Sequence, residues 1–193
     1  MTDQPTSLPD ERLRESKTVF TGRLLRVEVC SVELPDGRRT TREVVRHPGA
    51  AAALAELPDG RFVLVEQYRF AVERRLIEVV AGLLEPGEDP ADCARREVEE
   101  ETGYTVRDLV PLGRIWSSAG FAAEALHLFY AKLDGAAGRQ ALDPDERVRP
   151  VILEADRIEA MMAGGDIADG KTLACWLLNK LRRGRGSAAG SGG

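Results

Sequence analysis

The sequence has no apolar run long enough to span a bilayer and no basic, apolar, small-residue leader, so it is expected to be soluble and untargeted. It also lacks any concentrated block of basic residues: 27 Lys and Arg stand against 32 Asp and Glu, for a formal charge of -5. Nucleic acid and anionic membrane surfaces would repel such a chain, which excludes both as expected partners. Cysteine is scarce, and Cys30, Cys93 and Cys175 are far apart, odd in number and without zinc spacing. Reduced thiols and a cytoplasmic setting follow. His47 and His127 lie within strand patterns with no metal-ligating neighbour, so packing is their expected role.

What is present suits one core. A chain of 193 residues with 43% hydrophobic content is long enough for a single domain with a small annex. Residues 1–16 are polar and without a sustained period, and 184–193 (GRGSAAGSGG) form a glycine and serine tract, so both are expected to be flexible tails. LLRVEVCSVEL (24–34) and REVVRH (42–47) flank a PDG turn and read as a hairpin; AAALAEL (51–57) and RFVLVEQYRF (61–70) flank a second. LIEVVAG (76–82) reads as a short buried strand, VRDLVPLGRIW (106–116) and ALHLFYAKL (125–133) as further strands, and helices are expected near 154–163 and 170–183.

Between these lies GLLEPGEDPADCARREVEEETGY, residues 82–104. Asp89 followed by Pro90 predicts a helix N-terminus, and Gly103 predicts its end. At about 100° per residue, Glu97 and Glu101 fall nearly above one another, Glu100 flanks them, and Glu99 points away. Like charges at such spacings repel, and burial raises the cost. One reading is a solvated acidic face. The other is a divalent cation: Mg²⁺, with Mn²⁺ as the alternative, prefers oxygen ligands and bridges to phosphate, so the face implies a phosphate-bearing substrate. Arg96 stands where it can pair with Glu100.

Read in full, the stretch places Gly82, Glu88, Arg96, Glu97, an apolar Val98, Glu100, Glu101, Gly103 and Tyr104 at the spacing of the Nudix box. In these positions the chain resembles the Nudix hydrolases. The resemblance implies an α/β fold, a Nudix α/β/α sandwich around a mixed sheet with an N-terminal antiparallel strand region. It also implies a Nudix domain over 56–183 and a dimer-forming strand region over 17–55. Glu97, Glu100 and Glu101 would hold the metal, joined by the Ala81 carbonyl, while Glu88 and Arg96 orient them. The implied chemistry is hydrolysis of a nucleoside diphosphate linked to another group X, with a carboxylate taking the proton of the attacking water.

VEQYRF, LIEVVAG, AGFAAEALHLFYAKL and GDIADGKTLACWLL together resemble the ADP-ribose pyrophosphatase branch, which implies cleavage of ADP-ribose to AMP and ribose 5-phosphate by a homodimer. By that resemblance Arg69, Arg46 and Glu124 are candidate substrate contacts, with Arg42 beside Arg46. Glu146, ahead of Asp145 and Asp143, is the candidate catalytic base, with Glu97 and Glu100 as its catalytic partners. A surface ion pair for Arg69, a structural role for Glu124 and a solvated loop around Glu146 are the competing readings. Ala119, Val79 and Val80 depart from the branch's common residues, which leaves GDP-mannose, other nucleotide sugars, NADH, coenzyme A and dinucleoside polyphosphates as alternative substrates. A non-catalytic ligand sensor on the same fold is the alternative from outside the enzyme class.

Overall fold

The computed structural model describes residues 10–142, 144 and 146–189, with side chains up to residue 184. Two compact units divide it: residues 10–47 with 118–124, and 48–117 with 125–189. Among the described residues no helix is long and apolar enough to cross a membrane.

The first unit is an antiparallel sheet of β1 (Arg12–Thr21), β2 (Arg26–Glu33) and β3 (Arg39–Arg46), in that order. β2 alternates buried and half-buried positions, as a strand with one covered face should. β1 does not: all ten of its residues are exposed, including Leu13, Val19 and Phe20. Its first half, residues 12–16, lies in the stretch that composition assigns to a tail, because a strand with neither face covered leaves no alternation to read. Residues 118–124 dock on β3, with Val45 donating to the Phe121 carbonyl at 2.8 Å and Ala123 donating back to the Val45 carbonyl at 2.9 Å.

The second unit is built on a seven-stranded mixed sheet. Its strands are β4 (Ala50–Glu56), β5 (Phe62–Arg69), β6 (Arg74–Glu78), β7 (Val80–Leu83), β8 (Tyr104–Trp116), β9 (Ala125–Ala137) and β10 (Val148–Leu153). The main path runs β10-β5-β4-β9-β8, and β4–β9 is its parallel pair. β4, grouped by sequence with the N-terminal strands, stands at the centre of this sheet. Its side chains alternate between two cores. Ala50, Ala52 and Leu54 face one with α2 (Ala155–Gly164) and α3 (Gly170–Ala189), and Ala51, Ala53 and Ala55 face the other with α1 (Pro90–Thr102). Period-two geometry thus gives helix, sheet and helix layers, the α/β/α sandwich. The alanines let helices approach closely on both sides.

Two departures shape the site. β4 and β5 pair only near their turn, at Ala55↔Val63 and Glu56↔Phe62, and then diverge. β6 continues alongside β5 and β7 alongside β4, so the single strand expected over 76–82 is two strands broken at Val79. At the break, the Val79 N–H donates to Thr172 Oγ1 at 2.9 Å instead of to a neighbouring strand. α3 runs to Ala189, into the expected C-terminal tail; once nucleated, a helix tolerates glycine at about 1 kcal/mol per residue.

Candidate active site

α1 begins and ends where its capping residues require. Asp89 accepts the Ala91 N–H at 2.8 Å, Pro90 occupies the first turn, and Gly103, at φ 75, donates to the Glu99 carbonyl. Its buried residues are Cys93, Ala94, Glu97, Val98, Glu101 and Thr102, one face at helical spacing. Two carboxylates therefore share the face that packs on the sheet. Glu101 is 2% exposed and Glu97 8%, whereas Glu100 is half-buried and Glu99 points outward.

Arg96 organises the partly covered members. Its guanidinium grips Glu88 through two hydrogen bonds of 2.9 and 3.1 Å and also reaches Glu97 at 2.7 Å and Glu100 at 3.2 Å. The same group donates to the Leu83 carbonyl at 3.3 Å, tying helix to loop. Arg96, with a hydrogen bond from the Glu85 N–H, holds Glu88 down at about 2. Gly82 has a steric role: a Cβ there would lie 1.7 Å from Glu97 Oε1. Cys93 donates to the Leu83 carbonyl at 3.4 Å, and burial pushes its thiol up to about 12, so it is a packed, protonated thiol.

Glu101 is the outlier. Its Oε2 is buried with no hydrogen-bond partner. Burial first, then the charges of Glu97 and Glu146, push its carboxyl up to about 8, and burial likewise raises Glu97. Among the described residues no three His, Cys, Asp or Glu side chains are gathered into a ready-made metal cage. The donor chemistry nevertheless fits a hard divalent cation that keeps several waters: oxygen atoms only, excess negative charge, and one buried carboxylate oxygen with nothing to bind.

Of the candidate residues, Glu97, Glu100, Glu101, Ala81, Arg69 and Glu146 all belong to the second unit. Ala81 lies in β7 next to Gly82. Glu146, half-buried ahead of β10, adds its charge to both Glu97 and Glu101. Asp143 and Asp145 lie outside the described residues. Arg46 and Glu124 belong to the first unit, where Arg46 bonds Glu28 at 2.9 Å and Glu124 stands 3.6 Å from His47 Nε2. Arg42, in the same unit, pairs with Glu11.

Arg69 makes a two-toothed pair, 2.8 and 2.7 Å, with Glu78, which is fully buried. Lys171 bonds the same carboxylate and also reaches Asp169 at 3.0 Å. Burial alone would raise Glu78, but these two cations carry it below the ordinary carboxylate range. Asp169 caps α3 by accepting from the Thr172 N–H at 2.9 Å and its hydroxyl at 2.6 Å. Sequence reading missed this network, whose one visible trace is a charged residue inside the apolar run LIEVVAG.

Fold and site define a class: an α/β/α sandwich that carries a carboxylate-rich loop and helix. A family model of the NUDIX domain matches residues 45–173, and the chain belongs to that family as a Nudix pyrophosphohydrolase. It is 41% identical over 165 residues to a methanol dehydrogenase activator of Bacillus methanolicus, covering 85% of this chain and 89% of that one. Identity to an ADP-ribose pyrophosphatase of Bacillus subtilis is 37% over 164 residues, 84% of this chain and 89% of the other. A GDP-mannose pyrophosphatase of Yersinia enterocolitica is 36% identical over 143 residues, 68% of this chain and 73% of its own. The crystal structure of an ADP compounds hydrolase superposes with a TM-score of 0.80 at 22% identity, covering 94% of this chain and 98% of that one. This last likeness bears on the fold.

Proposed function

We propose that the protein hydrolyses the diphosphate linkage of a nucleoside diphosphate joined to a sugar, with ADP-ribose as substrate and AMP and ribose 5-phosphate as products. The observation that carries the metal dependence is the partnerless, buried Glu101 oxygen on the same helix face as Glu97. Glu97, Glu100 and Glu101, with the Ala81 carbonyl, would hold Mg²⁺ or Mn²⁺. When bound, the ion supplies positive charge to the diphosphate oxygens and lowers the pKa of water. Arg96 keeps Glu97 and Glu100 oriented, and Glu88 keeps Arg96 in place. Glu146 accepts the proton of the attacking water. Arg69 binds a substrate phosphate, and Lys171 remains to balance the buried Glu78 when it does.

Arg46 and Glu124 are proposed substrate contacts whose replacement by alanine raises KM. A homodimer formed through the exposed strand β1 fits its uncovered Leu13, Val19 and Phe20. Light scattering of the protein with and without residues 1–21 tests it. GDP-mannose is the second substrate reading, favoured by the similarity to a GDP-mannose pyrophosphatase. Product analysis with Mg²⁺ across ADP-ribose, GDP-mannose, NADH, coenzyme A and diadenosine polyphosphates, beside a Glu100→Gln, Glu101→Gln variant, decides among them. Release of AMP and ribose 5-phosphate, lost in the variant, supports the ADP-ribose reading; preference for another substrate overturns it.

A further inference from the structure

The last carbonyls of a helix have no donor within the helix. Of the last four carbonyls of α1, that of Glu99 is served locally, by Gly103. The next are served by a distant segment: Ala141 donates to the Glu100 carbonyl at 2.9 Å, Gly138 to the Gly103 carbonyl at 2.6 Å, and Gln140 Nε2 to the Glu101 carbonyl. The approach is close enough that a Cβ on Gly103 would lie 2.8 Å from the Gly138 carbonyl oxygen.

Two of these donors are backbone groups that any sequence offers. The third is a side chain, and it does more than cap. The second hydrogen of the Gln140 amide points to the Val148 carbonyl at 3.4 Å, the first residue of β10. One primary amide therefore joins the carboxylate helix to both ends of the segment that carries Glu146, which lies two residues before Val148. A hydroxyl has one hydrogen to give and a carboxylate has none, so neither can make both bonds.

We propose that Gln140 is a positioning residue for the hydrolysis: its amide fixes the reach of Glu146 toward Glu97 and Glu101 by tying Val148 to the end of α1. The inference rests on the assignment of Glu146 as the base in the proposed function. Misplacing a reacting group by about 1 Å can cost on the order of 100-fold in rate, so the bridge acts on turnover and leaves substrate affinity alone.

The test compares Gln140→Met, which keeps volume and removes the donors, with Glu146→Gln and the double variant, using Mg²⁺ and the preferred substrate. The expected result is a fall in kcat of about tenfold or more for Gln140→Met, KM and the Mg²⁺ requirement near those of the parent, and no further fall when the change is made on top of Glu146→Gln. Gln140→Lys, which restores several donors, is expected to recover part of the loss. Equal losses in both backgrounds would show that Gln140 acts only on general stability and overturn the inference while leaving the base assignment standing. Unchanged kcat in Glu146→Gln would overturn the base assignment, and the inference with it. A parent protein that turns over no diphosphate substrate with either metal would overturn both together with the hydrolase reading.

Discussion

Two ionic networks stand in the second unit, and they are built to opposite rules. Around Glu78, two cations and two carboxylates close on one another: Arg69 and Lys171 bind Glu78, and Lys171 and Thr172 bind Asp169. Around Arg96, a single guanidinium faces Glu88, Glu97 and Glu100, with Glu101 buried beside them and unserved. A balanced buried network is complete as it stands and holds structure. An unbalanced one carries uncompensated negative charge, which is the property that the proposed metal binding uses.

The contrast can be broken from either side. The largest effect is expected on turnover: Glu146→Gln should lower kcat by about 10²- to 10⁴-fold, with metal affinity, read by titration calorimetry, left unchanged. Next comes Lys171→Met in the balanced network, which leaves the buried Glu78 with one cation and should cost about 3–5 kcal/mol of stability in urea unfolding. A variant as stable as its parent would mean that Arg69 alone satisfies Glu78. In the unbalanced network, Glu88→Gln removes the partner that orients Arg96 and should weaken metal binding by about 10- to 100-fold; if affinity holds and only the melting temperature falls, Glu88 has no orienting role.

The gentlest effect is a slope with pH. The folded protein keeps the Glu101 proton up to about 8 while the unfolded chain loses it in the ordinary carboxylate range, so the folded state binds more protons between the two. The Glu101 contribution to the stability of the metal-free protein should therefore fall as pH rises from the ordinary carboxylate range toward 8. Saturating Mg²⁺ should flatten or reverse the slope in thermal denaturation. A melting temperature independent of pH in EDTA would show that Glu101 is not a buried carboxyl without a partner.

How much of this could be read from the chain depends on whether the partners are near in sequence. α1 was legible because Asp89, Pro90 and Gly103 are its own capping residues and the glutamate spacing is internal to it. The two-faced core was legible in part, since period-two strands declare their faces while leaving their partners unnamed. β10 is not legible as a strand, because Pro150 interrupts its pattern; the proline is tolerated because the strand is an edge. The break at Val79 was hidden inside a continuous apolar run. Glu78 could be seen as an oddity, but its partner Lys171 is 93 residues away and nothing local names it.

That distance also bears on synthesis. Ala81 and Gly82 come just after Glu78, whose charge is balanced in part by Lys171, and Val79, whose N–H is satisfied by Thr172, with Val80 between. A ribosome making this chain releases the acidic helix before residues 138–141, which serve the carbonyls at its end, and well before Lys171 and Thr172. The setting of the acidic helix is thus finished by late-arriving parts of the molecule. A stalled or prematurely ended chain would carry the whole acidic box and still lack the contacts that set it.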